Sequence, residues 1–123
     1  SKRTSVNRIW KVGAALLACL SLSACHSAFV QTSIVNHTGK MVQLVEVDYP
    51  SASFGTQQIA DNATYHYHFK IQGSGPVKIT FTGDADKAYS ATGPTLEPGQ
   101  QGSLTITLES DGKVTWTPAL SSP

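Results

Sequence analysis

Alternation of apolar and polar residues is the feature that most constrains this chain. It is clearest in residues 77–82 and 103–109, where every second side chain is apolar. Successive side chains of a β-strand point to opposite faces, so this period of two predicts strands with one buried and one solvated face. Seven runs show the pattern, at residues 29–36, 41–49, 64–72, 77–82, 88–92, 103–109 and 113–117.

Clusters of Gly, Pro, Asn and Asp separate these runs, and Asp111-Gly112 between two of them predicts a hairpin. The residues after Cys25 show no helical periodicity. Seven short strands with such turns indicate an all-β fold, an antiparallel immunoglobulin-like β-sandwich. A small closed barrel is the alternative.

The inward positions of these strands would supply enough large apolar side chains for one core. They are Ile34, Val45, Val47, Tyr65, Tyr67, Phe69, Ile71, Val77, Ile79, Phe81, Leu104, Ile106, Leu108, Val114 and Trp116. Residues 94–106, with a Pro-Gly turn followed by an alternating strand, resemble the turn-then-strand segment of bacterial extracytoplasmic immunoglobulin-like modules. That resemblance implies a fold and no particular function.

The N-terminal segment has the order of a secretory signal peptide. Four basic residues lie within positions 1–11, and positions 12–22 form an apolar run that is followed by Ser-Ala-Cys. A helix of that run would rise about 16 Å, roughly half the hydrocarbon thickness of a bilayer, so it is too short for an ordinary transmembrane helix. It also lacks the polar face of a core helix. We therefore expect a signal-peptide helix within residues 1–24.

Leu22, Ser23, Ala24 and Cys25 resemble the lipobox of bacterial lipoproteins, in which Leu, a small residue and Ala or Gly precede a Cys. The resemblance implies that Leu22, Ser23 and Ala24 are recognised by the signal peptidase, which cuts before Cys25. It also implies that the Cys25 thiol receives a diacylglycerol and that the new amino group is acylated, for example with palmitate. Cys19 follows a poorer version of the pattern and would leave a shorter apolar run.

Cleavage before Cys25 would leave one lipidated cysteine, with neither a disulfide nor a free nucleophilic thiol. Residues 25–28 would then form the lipidated N-terminus and a short linker, residues 29–118 the sandwich and residues 119–123 a tail. The linker would span only about 10 Å, which places the domain close to the membrane. Because His26 and not Asp follows the cysteine, the enterobacterial sorting rule implies the outer membrane rather than the inner membrane.

The charge distribution argues against nucleic acid as a partner. After residue 11 the chain has five lysines, no arginine and eight acidic residues, a formal net charge of −3. A mildly acidic surface without arginine offers no positive patch for phosphates. The expected partners are the membrane, through the covalent lipid, and another envelope protein or a surface ligand.

Two groups of side chains are candidates for a binding site. His66 and His68 alternate with aromatic residues, so on a strand both imidazoles would share one face and could hold copper or zinc. The alternative is that they only occupy the wet face. Residues 49–55 are the longest stretch without a strand pattern, and Tyr49 and Phe54 in this loop could contact a peptide or a sugar. Alternatively, Phe54 plugs the sandwich.

Sequence motifs of catalysis are absent: there is no Gly-x-Ser-x-Gly, no phosphate-binding loop and no His-Glu-x-x-His. We therefore predict a non-enzymatic envelope lipoprotein with a β-sandwich binding or structural domain and no cofactor besides the covalent lipid. The alternative is a periplasmic metal-binding lipoprotein that uses His66 and His68.

Overall fold

The computed structural model describes residues 29–122, and most of them lie in β-strands. The eight strands are β1 (Val30–His37), β2 (Val42–Tyr49), β3 (Ala52–Ile59), β4 (Thr64–Phe69), β5 (Gly75–Thr82), β6 (Ala88–Leu96), β7 (Gln101–Glu109) and β8 (Val114–Ser121). Short 3₁₀ turns at Asp84–Asp86 and Ser110–Gly112 lie in two of the connections. Between residues 29 and 122, no helix has the length and apolar character needed to cross a bilayer.

The strands form two four-stranded sheets that pack as a sandwich. The first sheet has the order β4-β1-β7-β8, and the second has the order β3-β2-β5-β6. Neighbouring strands are antiparallel except for β1 and β7, which run parallel with Val30 opposite Gly102 and His37 opposite Glu109. The predicted all-β sandwich is confirmed, but its first sheet is mixed rather than wholly antiparallel.

The strand directions give the sandwich two distinct ends. The chain starts β1 and finishes β8 at one end, called the proximal end, where the connections after β2, β4 and β6 also lie. The opposite, distal end holds the connections after β1, β3, β5 and β7. Phe29, the first described residue, is tied to the sheet at the proximal end because its carbonyl oxygen accepts a hydrogen bond of 3.2 Å from the Gly102 amide.

The predicted hairpin at Asp111-Gly112 is confirmed. Both residues adopt positive φ, 62° at Asp111 and 77° at Gly112, and Glu109 N donates a 2.8 Å hydrogen bond to Lys113 O across the turn. Asp tolerates this left-handed conformation and Gly favours it, so the dipeptide suits the turn.

One continuous core fills the space between the sheets, and most predicted inward side chains lie in it. The buried ones are Ile34, Val45, Val47, Phe69, Ile71, Val77, Ile79, Phe81, Leu104, Ile106 and Leu108. Side chains that the alternation did not include among the inward positions complete it, namely Val30, Val42, Phe54, Ile59 and Leu96.

The remaining predicted inward side chains lie on edge strands and are less buried than expected. Tyr65, Val114 and Trp116 are partly buried, and Tyr67 is 39% exposed. The inner face of an edge strand has a neighbour on one side only, so its side chains keep some solvent contact. Trp116 of β8 covers Gly93 of β6, where an added Cβ would lie 2.5 Å from the indole ring. This contact brings β8 and β6 together along one side of the sandwich.

The expected loop at residues 49–55 is wrong, and the sandwich therefore has eight strands rather than seven. Pro50 and Ser51 form a tight turn, and β3 then pairs with β2 from Ala52 opposite Tyr49 to Ile59 opposite Val42. β3 is an edge strand whose only buried side chains are Phe54 and Ile59, so it carries almost no apolar alternation. A period-based reading of the sequence cannot detect such a strand.

Three strands end three or four residues away from the predicted position. β4 ends at Phe69 rather than at residue 72, whereas β6 continues to Leu96. β8 continues to Ser121, so residues 119–121 belong to the sandwich and not to a tail. The extended strands contain Pro94 and Pro118, which lack a backbone donor, but β6 and β8 are edge strands, where a proline is tolerated.

Asn36 is a fully buried polar residue that joins two connections at the distal end. Its side-chain nitrogen donates to the carbonyl oxygens of Lys40 at 2.7 Å, Ile59 at 3.0 Å and Ala60 at 3.1 Å. Its side-chain oxygen accepts from the backbone nitrogen of Thr38 at 3.0 Å and from the Thr38 hydroxyl at 2.7 Å. One amide thus holds the β1–β2 connection against the end of β3.

Candidate functional site

An aromatic strip runs along the side of the sandwich where the edge strands β3 and β4 meet. Its members are Phe29, Tyr49, Phe54, Tyr67, His68 and Phe69. The strip arises because alternation on β4 turns Tyr67 and Phe69 toward β3. His68 of β4 and Phe29, the residue before β1, lie on the outer face of the first sheet.

The inner part of the strip is tightly stacked. The rings of Tyr49 and Phe69 are 4.0 Å apart, and those of Phe54 and Tyr67 are 4.2 Å apart and nearly parallel. Phe54 also lies 5.8 Å from Phe69, which joins the two pairs. Such stacking adds about 0.5–1.5 kcal/mol per pair to the free energy of burial, so this side of the sandwich is held by aromatic packing.

The outer part of the strip is open to solvent. Phe29 is 44% exposed and lies edge-on against His68 with the ring centroids 5.4 Å apart. Tyr67 is 39% exposed, and its centroid is 6.3 Å from that of His68. The strip therefore changes from buried to exposed as it wraps around the edge formed by β4, and its exposed part combines apolar rings with a hydroxyl and an imidazole.

The phenol of Tyr49 in the strip has a raised pKa. Burial raises the pKa of its phenol above the ordinary value, and the neighbouring Tyr67 raises it further because two phenolates would repel each other. Tyr49 is therefore a neutral phenol at physiological pH, with its ring packed on Phe69.

The predicted histidine pair lies where the sequence placed it. His66 and His68 are both exposed on the outer face of β4, opposite Ser33 and Gln31 of β1. His66 Nδ1 lies 3.1 Å from the Ser33 hydroxyl, and His68 packs against Phe29. Residues 29–122 contain no group of three or more His, Cys, Asp or Glu side chains arranged to hold a metal ion.

The two residues of the predicted ligand loop differ in their exposure to solvent. Phe54 is buried, so it is a packing residue and not an exposed anchor, whereas Tyr49 is half-buried at the proximal end. The predicted lipidation site Cys25 and the recognition residues Leu22, Ser23 and Ala24 lie outside the described residues.

The sequence analysis did not identify Phe29 as a candidate site residue on the surface. A signal for it was present, because Phe29 differs by an odd number of positions from the inward Ile34 and so belongs to the wet face. The exposure of Tyr67 had no such signal, since it follows from the position of β4 at the edge of the sheet.

Apart from the aromatic strip, a cleft lies at the distal end between two hairpin turns. This cleft of about 270 Å³ is lined by Lys40, Asp84, Tyr89 and Asp111, among others. Lys40 Nζ donates to Asp84 at 2.9 Å, and this hydrogen bond and the charge of Lys40 lower the pKa of the carboxyl. Both partners are largely exposed, so the pair is a surface ion pair at the rim of the cleft.

Comparisons with known proteins bear on the fold alone. No family model matches the chain, and no curated protein matches it in sequence. An NMR structure of a protein from Eubacterium rectale is similar to it with a TM-score of 0.53 and 13% sequence identity, over 72% of this chain and 86% of that one. At this identity, the similarity supports the sandwich architecture and carries no functional information.

Proposed function

We propose that this protein is a lipid-anchored component of the bacterial cell envelope whose β-sandwich is a non-catalytic binding or structural domain. The observation that carries the proposal is the order of the N-terminal residues, a basic flank, an apolar run and the lipobox-like 22–25. A folded domain follows at once, since β1 begins at Val30.

The covalent lipid on Cys25 would be the attachment to the membrane. Each buried CH₂ contributes about 0.8 kcal/mol, so several acyl chains on one residue hold a protein permanently, unlike a single chain. His26 after the cysteine supports the outer membrane as the destination. The partner beyond the membrane would be another envelope protein or a surface ligand, and the distal end is the part of the sandwich farthest from the anchor.

Metabolic labelling with palmitate tests the proposal. The unaltered protein should carry label and migrate as the processed form, whereas Cys25→Ser should carry none and accumulate as precursor. Cys19→Ser is the matched control, because it removes the other cysteine of the apolar segment and should leave labelling unchanged. Labelling of Cys25→Ser, or loss of label from Cys19→Ser, would refute Cys25 as the lipidation site.

A metal-binding lipoprotein is the second candidate. The observation that favours it is that the imidazoles of His66 and His68 share the exposed outer face of β4. Imidazole is a good ligand for copper and zinc, and side chains two positions apart on a strand can reach one ion.

A further inference from the structure

The position of the proposed anchor relative to the folded domain restricts how the domain can sit on a membrane. Only His26, Ser27 and Ala28 separate Cys25 from Phe29, which amounts to about 10 Å at full extension. Phe29 is itself fixed to β7 at the proximal end through its hydrogen bond with Gly102. If Cys25 carries lipid, the proximal end therefore lies within this distance of the bilayer surface.

The exposed part of the aromatic strip lies at this end. Phe29 starts the described chain, and His68 and Tyr67 belong to the last residues of β4, which ends at the proximal end. Aromatic side chains with a polar tip, such as Tyr, favour the boundary between lipid headgroups and acyl chains. The exposed part of the strip, which would lie nearest the bilayer, thus has the residue types that favour a bilayer interface.

The charges of the loops are compatible with this orientation. The proximal connections 50–51, 70–74 and 97–100 contain one lysine and one glutamate, and that glutamate, Glu97, accepts a hydrogen bond from Ser74. The distal connections 38–41, 60–63, 83–87 and 110–113 contain four aspartates and three lysines. The proximal connections are thus formally neutral and the distal connections carry a net charge of −1, so the loop charges do not oppose contact between the proximal end and an anionic membrane.

We propose that Phe29, Tyr67 and His68 form a membrane-contact surface that rests in the headgroup region of the anchoring bilayer and orients the sandwich with its distal end outward. This inference rests on the proposed lipid anchor. The tether keeps the surface at a high effective concentration next to the lipid, so weak partitioning of two aromatic rings is enough to hold the orientation. The occupant of the exposed strip is then the lipid interface.

Fluorescence quenching in vesicles tests this surface. The lipidated protein is purified from membranes, its lipid on Cys25 is verified by mass spectrometry, and it is reconstituted into phosphatidylethanolamine–phosphatidylglycerol vesicles that contain nitroxide-labelled lipid. A fluorophore is attached to Gln31→Cys, which pairs with His68 on the outer face of the first sheet, or to Asp61→Cys at the distal end. Quenching at position 31 should exceed that at position 61 by about threefold or more, because an interfacial side chain lies within about 10 Å of the lipid.

Substitutions then assign the effect to the strip. Phe29→Ser, alone and with Tyr67→Ser, should lower quenching at position 31 by roughly twofold or more. Met41→Ser is the matched control, since Met41 is 43% exposed but precedes β2 at the distal end. Circular dichroism verifies that each variant is folded, and the Phe29 variant remains informative if loss of the Tyr67–Phe54 stacking impairs folding.

The outcomes separate this surface from the anchor. Equal quenching at the two labelled positions, or unchanged quenching in Phe29→Ser, with lipid present on Cys25, overturns the contact surface and leaves the lipoprotein proposal intact. Absence of lipid from Cys25 overturns both.

Discussion

Replacement of the buried Asn36 by Ala is expected to destabilise the sandwich by about 3 kcal/mol, because its side chain is hydrogen-bonded to two connections and to the end of β3 at once. The amide oxygen accepts two hydrogen bonds from Thr38, and the amide nitrogen lies within 3.1 Å of three carbonyl oxygens, those of Lys40, Ile59 and Ala60. Removal of the amide therefore affects two connections and the end of β3 together.

The magnitude follows from these contacts. An NH₂ group has two hydrogens, so its three contacts amount to two full hydrogen bonds. The Thr38 hydroxyl has one hydrogen, which it shares between Asn36 Oδ1 and Lys40 O, so the variant loses about three to four hydrogen bonds in all. Each contributes about 0.5–1.5 kcal/mol net, and the bond to Ile59 O is buried, so water cannot easily replace it and its loss costs about 1–3 kcal/mol. Partial hydration of the exposed groups reduces the sum to about 3 kcal/mol, with a range of about 2–5 kcal/mol.

Thermal and urea unfolding followed by circular dichroism measure this loss. A change of 1 kcal/mol shifts Tm by about 4–8 °C in a domain of this size, so Asn36→Ala should lower Tm by roughly 15 °C. Asn62→Gly is the control, because Asn62 is exposed with φ of 60°, which Gly adopts freely, and its effect should stay near about 0.5 kcal/mol. A loss below about 1 kcal/mol for Asn36→Ala would refute the assigned role.

The pH dependence of Asn36→Asp gives a second, independent reading. A carboxylate at this buried position would face the same three carbonyl oxygens, so both burial and these dipoles would raise the pKa of the introduced Asp in the folded state. A group with a raised folded pKa binds its proton more tightly when folded. The variant should therefore be relatively most stable below the ordinary carboxyl pKa and lose stability as pH rises through the raised value. A loss that does not vary with pH would contradict this account.

Three further results are expected. Gly93→Ala should push a methyl group into the indole ring that covers it, destabilise the domain by about 1–3 kcal/mol and shift the tryptophan emission, with Ala91→Gly as a control for the loss of a methyl group on the same strand. Lys40→Met should raise the pKa of Asp84 toward its ordinary value in an NMR titration, since Lys40 is the main cause of its lowering; an unchanged pKa would exclude that cause. Titration with copper and zinc should show binding no tighter than about micromolar, as expected for two imidazoles, and tight binding that is lost in the His66→Ala/His68→Ala variant would favour the metal function.

The strands that bury one full face could be predicted from sequence. Residues 77–82 and 103–109 alternate strictly, and their apolar positions form the centre of the core as β5 and β7. Both strands lie inside their sheets, so packing from the opposite sheet acts on every second residue. β3 was missed because it lies at an edge, where only Phe54 and Ile59 are buried and the remaining positions are free to be polar or small.

The candidate site was predicted only in part. The shared face of His66 and His68 follows from a period of two and holds in the structure. Phe54 was placed in a possible ligand loop, with a plug of the sandwich as the alternative; the alternative is confirmed, because Phe54 is buried and stacks on Tyr67, a residue of the opposite sheet. Local sequence carries no information about which strand packs across from which, so this contact could not be predicted.

Residue type and spacing along the chain specify its strand class, the alternation that selects most core residues, and the lipobox-like order that underlies the proposed anchor. These are local properties, set by residue type and spacing along a few neighbouring positions. Other features depend on how the strands assemble. They are the identity of the edge strands, the parallel pairing of β1 and β7, the link that Asn36 makes between two distant connections, and the contacts of Phe29 and Tyr67 with His68 at the proximal end. Such features join residues far apart in the chain, and only the packing of the two sheets brings them together.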